Sequence, residues 1–357
     1  IQYNQADVDL DTFPLCEPSS LCPVNWNISG KIYQDDNLNC IADPLENGLS
    51  QIPVVLDSAG ITLQTFLPNG SGNYSFRAEP GNYKLRIDAA PLPFLYACPF
   101  NGIDSVILTP INSHVDSVDF SVACNVYADY VSNSITPSTQ FRPNHFVELY
   151  MNAGEISQNF SGNCFSDSGR VTATFNGPVH YAGPSTGALI PDYQNSDSVI
   201  WVVSDFSLID PNVAFNIMLS TDSAAQNGDT ISTTLNISSG VESNLSNNFK
   251  AQYFLVRSSY DPNEKIVSPE KADTSVHLFT YTIYFQNTGN VFADNIYIID
   301  TLDSDLDPNT FQFITSSHDV VTQLLPGNIL RFNYPNINLA DSFSNELASH
   351  GFYKFSI

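Results

Sequence analysis

Hydrophobic and polar residues alternate along most of this chain in short runs, which recur about every 8 to 12 residues between turn signals. From Asn27 to about Cys124 the runs are SGKIY, IPVVLDS, ITLQTF, NYSFRA, NYKLRI, DSVILT and VDSVDFSV. A period of two turns one face of each run to a core and the other to water, which predicts strands rather than helices. Leu67-Pro68-Asn69-Gly70 and Glu79-Pro80-Gly81-Asn82 supply turns, because proline presets φ and glycine accepts positive φ. The spacing predicts a sandwich of about seven strands over residues 28–124.

Two more blocks follow the same pattern. Residues 125–257 carry VYADYV, FRPNHFVELYMNAG, RVTATF, SVIWVV, VAFNIMLS, DTISTTLNIS and NNFKAQYFLV. Residues 258–357 carry SYDPNEKIVSP, LFTYTIYFQNTGN, ADNIYIIDTL, TFQFITSS, NILRFNY and GFYKFSI. The expected fold class is all-β, with tandem Ig-like β-sandwich domains in an elongated array. Residues 1–27 form an extended segment too short for a domain of its own, expected to be a donor strand or the end of a preceding domain. The chain stops at Ile357 inside an apolar alternation, so the expectation is either an excerpted sequence or a third sandwich that lacks its last strand. An open edge is a template for strand addition, and residues 1–13 could fill it in a neighbouring copy, building a head-to-tail filament.

Composition narrows the partners. Over 357 residues, 42% hydrophobic and 12% aromatic content exclude a disordered chain. With 37 acidic against 12 basic residues the net charge is −25, which repels nucleic acid and anionic membranes. Only 14% of residues are charged, so the solvent face is largely Ser, Thr, Asn and Gln, as suits an extracellular β-protein. No run of about 18 apolar residues exists to span a membrane. A start at Ile1 without Met or a signal peptide fits a processed or excerpted secreted protein.

The six cysteines, Cys16, Cys22, Cys40, Cys98, Cys124 and Cys164, include no CxxC pair and no zinc-spaced Cys/His cluster. Their even number favours disulfides and an oxidising compartment. Sequence leaves fifteen pairings open. The set we take as the expectation is Cys16–Cys22 as a local loop, Cys40–Cys98 and Cys124–Cys164.

One stretch carries ligand-type residues at a spacing that composition rarely produces. Counting Asp35 as position 1, Asn37, Asn39, Asp43 and Glu46 fall at positions 3, 5, 9 and 12, and Ile41 at position 7 offers its carbonyl. That is the calcium-loop order of hard oxygen ligands, closed by a Glu that can bind bidentately. Position 6, where the sharp turn calls for glycine, is Cys40, and the flanks ISGKIY and IPVVL are strand-like. The stretch is therefore a calcium loop inside a β-domain, with a solvated Asp/Asn turn as the alternative. A second cation site at Asp261, Asn263 and Glu264 competes with a proline-set turn, which we favour because Asp-Pro-Asn recurs at Asp210 and Asp307.

Catalytic signals are weak. The six histidines are scattered, with no HExxH arrangement and no phosphate loop. Gly183-Pro184-Ser185-Thr186-Gly187 satisfies the G-x-S-x-G pattern, but a nucleophile elbow needs a following helix, and another loop follows here. No enzymatic activity is expected.

Three resemblances build on these residues. Asp35, Asn37, Asn39, Asp43, Glu46, Gly48 and Leu49 match the opening loop of Cna-B-like, serine-aspartate-repeat B-type domains of bacterial surface proteins. Relatives with an internal isopeptide bond carry a Y-x-L-x-E-x-x-A-P box. Tyr83, Leu85, Ala90 and Pro91 are in place here, but Ile87 stands where the catalytic Glu would be, so no Lys–Asn cross-link is expected. Residues 125–257 resemble Ig-like spacer modules in pattern. Residues 258–357, through Tyr-Thr-Ile-x-Phe-x-Asn-Thr-Gly and Asn-x-x-Ile-x-Asp-Thr-Leu, resemble conserved-repeat Ig-like domains of secreted Bacteroidetes proteins that use type IX secretion. Asp-Ser/Thr-hydrophobic triplets resemble the O-glycan acceptor pattern of such proteins, with Ser58, Ser105, Ser117, Ser198, Ser223, Thr230 and Thr301 as acceptors.

Together these imply an extracellular structural or adhesive cell-surface protein, with calcium as cofactor and with copies of itself, other surface proteins or glycans as partners. The alternative is the non-catalytic stalk, or a carbohydrate-binding region, of a larger secreted hydrolase.

Overall fold

The computed structural model describes residues 26–88, 93–125, 127–242, 244–257, 263–269 and 278–357. The chain is all-β, with short 3₁₀ turns and no α-helix among the described residues. No helix there is long and apolar enough to cross a membrane. Cys16, Cys22, Ala90, Pro91, Asp261 and the segment proposed as a donor strand lie outside the described residues.

The first sandwich comprises β1 (Ile28–Gln34), β2 (Val54–Ser58), β3 (Ile61–Leu67), β4 (Asn73–Phe76), β5 (Gly81–Ile87), β6 (Phe94–Cys98), β7 (Ile103–Leu108) and β8 (Phe120–Cys124). One sheet runs β4-β1-β8-β6, and the facing one contains β3-β2-β5-β7. In β5, Tyr83, Leu85 and Ile87 point inward while Asn82 and Lys84 are exposed, the two-residue period read from the sequence. Ile87, in the place of the isopeptide box's carboxylate, is a buried core residue.

The second sandwich comprises β9 (Tyr130–Pro137), β10 (Phe146–Glu155), β11 (Gly169–Asn176), β12 (Val179–Pro184), β13 (Tyr193–Gln194), β14 (Ser198–Val203), β15 (Ile217–Thr221), β16 (Thr230–Ser239) and β17 (Phe249–Leu255). Its sheets are β12-β15-β10-β9 and β13-β14-β11-β16-β17, closed over a core that includes Trp201, Phe206 and Phe215.

The third unit comprises β18 (Glu264–Ser268), β19 (Thr280–Gln286), β20 (Ile296–Thr301), β21 (Gln312–Ser316), β22 (Val321–Leu325), β23 (Ile329–Tyr334) and β24 (His350–Ser356). One sheet runs β18-β19-β24-β21. The other, β20-β23-β22, continues into the first sandwich. Thr322, Gln323 and Leu324 of β22 pair antiparallel with Leu67, Phe66 and Thr65 of β3, making one seven-stranded sheet.

The tandem sandwiches are thus present, but they are not strung with only sequence neighbours touching. The third unit turns back onto the first. An unpaired edge at β22 would leave a row of N–H and C=O groups open, and β3 of the same chain covers it. At the same seam Gln51 Nε2 donates to the Val320 carbonyl at 3.3 Å and Asn69 Nδ2 to Asp319 Oδ2 at 3.1 Å. The final run, β24, lies inside its sheet between β19 and β21 and is buried along its whole length. Its inner face holds Tyr353 and Phe355 in the third core, and on the other face Phe352 meets Tyr150 of the second sandwich edge to face at 5.2 Å.

Units one and two are stapled beside their connection. Cys124 at the end of β8 is bonded to Cys164, Ser50 N–H donates to the Phe160 carbonyl at 2.9 Å, and Asn163 N–H donates to Gln34 Oε1 at 2.9 Å.

Candidate calcium loop and its surroundings

Asp35 sits where β1 runs out, and its N–H donates to the Val122 carbonyl of β8 at 2.9 Å. Although acidic, it is only 1% exposed. A buried carboxylate needs donors, and Asp35 has three: Asn39 N–H on Oδ1 at 3.1 Å, and Cys40 N–H at 3.0 Å and Ser121 Oγ at 3.1 Å on Oδ2. Asp35 therefore folds the loop around itself.

The exposed Asn37 and Asn39 converge on the half-buried Asp43. Asn37 Nδ2 and Asn39 Nδ2 both donate to Asp43 Oδ2, at 2.7 and 3.0 Å. Glu46 closes the ring, its two oxygens accepting from Asp36 N–H at 3.1 Å and Asp43 N–H at 2.9 Å. The two amide oxygens face the backbone, Asn37 Oδ1 accepting from Asn39 N–H at 3.0 Å and Asn39 Oδ1 from Ile41 N–H at 2.7 Å, so a cation at this point requires both amides to turn and give up those bonds. Asp35 also lies near the sulfurs of Cys40 and Cys98, but those atoms are joined to each other and offer no thiolate to a metal.

Cys40 takes φ 63°, the left-handed conformation for which such loops use glycine, and Leu38 takes φ 58°. The bond from Cys40 to Cys98 ties this turn to the end of β6. Beyond the loop, Gly48 passes so close to the backbone of Ser71 that a Cβ would lie 2.2 Å from its carbonyl oxygen, and Leu49 is fully buried.

The other candidate residues are dispersed. Asn263 Oδ1 accepts from Gln286 N–H at 3.4 Å, and Glu264 accepts from Gln140 Nε2 of the second sandwich, so these two side chains serve contacts within the chain. Ser105, Ser117, Ser223, Thr230 and Thr301 are exposed. Ser58 and Ser198 are half-buried, with Oγ donating to the Asn82 carbonyl and to Asn195 Oδ1. Ser185 is buried and is followed by a turn closed on Ala188 N–H.

Several titratable groups were missed in the sequence because only burial marks them. Glu155, at the end of β10, caps the 3₁₀ turn Ile156–Phe160 through Ser157, and burial pushes its carboxyl up to about 7. Lys354 of β24 is 9% exposed between units two and three, with Nζ donating to Thr136 Oγ1 at 3.4 Å. Burial first, and Lys250 second, pull its ammonium down to about 8.

Fold and loop define a disulfide-stapled, all-β multidomain chain. Residues 261–357 match a family described as a domain of unknown function, DUF7619. No curated protein matches. Among solved structures, one similar chain is a Bacteroides uniformis protein provisionally described as carbohydrate-binding, at 11% identity and a TM-score of 0.19, covering 65% of this chain and 99% of that one. Another is a Parabacteroides merdae β-glucuronidase, at 9% identity and a TM-score of 0.19, covering 66% of this chain and 23% of the enzyme. At these scores neither likeness bears on function.

Proposed function

We propose that this chain is an extracellular, non-catalytic part of a cell-surface protein, a scaffold of β-sandwiches whose first unit carries a structural calcium clip. The convergence of Asn37, Asn39 and Asp43 beside Glu46, on a turn already shaped by Asp35, carries this reading. Amide and carboxylate oxygens are the ligands calcium prefers, and two of the four are acidic. The Ile41 carbonyl, at position 7 of the loop, would complete the set. Bound calcium would offset the negative charge of Asp43 and Glu46 and hold the loop between β1 and β2 rigid, which is the clip's task.

The surface setting rests on independent features. Disulfides Cys40–Cys98 and Cys124–Cys164 persist in oxidising surroundings. A net charge of −25 suits a surface screened by salt or divalent cations. The resemblance of residues 258–357 to repeats of secreted Bacteroidetes proteins agrees with a scaffold that holds a surface protein together.

Thermal melting with calcium and with chelator tests the clip. Saturating calcium should stabilise the fold by RT ln(1+[Ca]/Kd), which is about 2.7 kcal/mol at a concentration of about 100 Kd. Chelator should reverse the gain, and Asp43→Asn with Glu46→Gln should abolish it. A melting curve indifferent to calcium would leave the loop a self-bonded acidic turn.

A further inference from the structure

Five asparagines of this chain precede a glycine: Asn47, Asn69, Asn101, Asn176 and Asn227. A side-chain amide in that position is labile, because the glycine nitrogen has no neighbouring side chain to hinder its attack on the asparagine's own carboxamide carbon. Asn69 opens the turn after β3, its carbonyl accepting from Gly72 N–H at 2.9 Å, and the turn abuts the seam where β3 meets β22.

The whole carboxamide of Asn69 is held. Oδ1 accepts from Ser71 N–H at 3.2 Å and from Ser71 Oγ at 2.7 Å, and Nδ2 donates to Asp319 Oδ2 of the third unit at 3.1 Å. Donors on a carbonyl oxygen polarise its carbon and stabilise the negative charge that the oxygen acquires under attack. A side chain already fixed also loses little freedom on reaching the reactive geometry. Among the described residues the Gly70 N–H has no hydrogen-bond partner, whereas Gly102 N–H is bonded to the Pro99 carbonyl at 2.8 Å and Gly228 N–H to the Val256 carbonyl at 2.9 Å. The carboxamides of Asn47 and Asn176 have no such donors among the described residues.

We propose that Asn69 and Gly70 form a self-modifying site, which cyclises and converts Asn69 into an acidic residue at the seam of the first and third units. The Gly70 nitrogen attacks Asn69 Cγ, the new C–N bond forms and the Cγ–Nδ2 bond breaks. Nδ2 leaves as ammonia with the proton that the Gly70 nitrogen gives up. Water then opens the succinimide at either carbonyl, leaving an aspartate or its iso form at position 69. The product sets a carboxylate where Nδ2 had bonded Asp319 at 3.1 Å, so an attractive contact becomes a like-charge one. The iso form also lengthens the backbone of the turn by a methylene, two residues beyond Leu67, which pairs with Thr322. Modification of this one site loosens the shared sheet.

Ageing of the full chain at mildly alkaline pH, followed by peptide mass spectrometry, tests the site. Asn69 should exchange NH2 for OH faster than the other Asn-Gly pairs, and its lead should vanish in denaturant. Ser71→Ala should slow Asn69 about tenfold or more, as loss of a donor to a developing oxyanion does. Gly70→Ala should also slow it, and the fold accepts this change, since the added Cβ meets only Ser161 Oγ, at 3.4 Å. Asn69→Asp should speed hydrogen exchange in β3 and β22, and Asp319→Asn in the same chain should reverse the effect. If folded Asn69 reacts no faster than the other pairs, or if Ser71→Ala leaves its rate unchanged, the site is an ordinary turn. If Asn69→Asp leaves exchange in both strands unaltered, modification does not reach the seam.

Discussion

Cys40 holds its backbone at φ 63° and is bonded to Cys98, so a residue with a side chain occupies a left-handed turn normally given to glycine. The cross-link closes a span of 58 residues and offsets the conformational cost of that turn. Replacing both cysteines by serine should remove about 2–4 kcal/mol, read as a lower denaturation midpoint. Cys40→Gly with Cys98→Ser should recover about 1 kcal/mol of that loss, because glycine takes positive φ freely. Equal stability of the two double variants would show that the turn is unstrained.

Val321 ties the third unit to the first. It belongs to β22, yet it packs against the core of the first sandwich. Val321→Asp should cost about 2 kcal/mol or more by placing a charge in that contact. Hydrogen exchange should speed up in β3 and β22 together. Acceleration of β22 alone, with β3 unmoved, would mean that the shared sheet does not form in solution.

Lys354 opposes stability near neutral pH. Its ammonium is pulled from 10.5 to about 8, so below about pH 8 both folded and unfolded chains carry the charge and the burial penalty is felt in full. Between pH 8 and 10.5 the unfolded chain binds more protons, and stability from this group rises with pH. Above about pH 10 the buried hydroxyls of Tyr150 and Tyr284, whose titration burial pushes upward, act the other way. Lys354→Met should stabilise the fold at pH 7 by on the order of 2–3 kcal/mol, and by less at pH 10. A gain that is the same at both pH values would rule out the buried charge as its source.

Glu155 and His318 pull in opposite directions in the acid range. Burial raises the Glu155 carboxyl from 4.5 to about 7, so its stabilising proton is in place below pH 4.5 and is lost as pH climbs through 7. Burial lowers His318 from 6.5 to about 4, so stability from that residue is lost as pH falls from 6.5 toward 4. Glu155→Gln should therefore raise the melting temperature at pH 8 relative to pH 5 and leave the His318 slope exposed. If the pH profile of Glu155→Gln matches that of the unaltered chain, the carboxyl does not titrate with folding.

Much of the fold was legible because strands buried on one face alternate. The runs NYKLRI and RVTATF carry that period and became β5 and β11. β6 was missed because Pro93 and Pro99 flank it, and β22 because its signal is inverted. Its fully buried position is Thr322, satisfied by the Tyr353 hydroxyl at 2.7 Å, while the apolar Val321 is covered by another sandwich. A period-two reading assumes that polar residues face water, and at β22 a distant unit takes the place of water.

The loop shows the same division. By itself the sequence determined the order of oxygen ligands from Asp35 to Glu46, the all-β class and the surplus of acidic charge, since each follows from residue type and local spacing. Tertiary structure decided that Asp35 is spent on backbone N–H groups, that Cys40 stands in for glycine, and that units one and three share a sheet in which Thr322 pairs with Leu67. These depend on which groups lose water when distant segments meet, and burial is a property of the assembled fold that no short window of sequence contains.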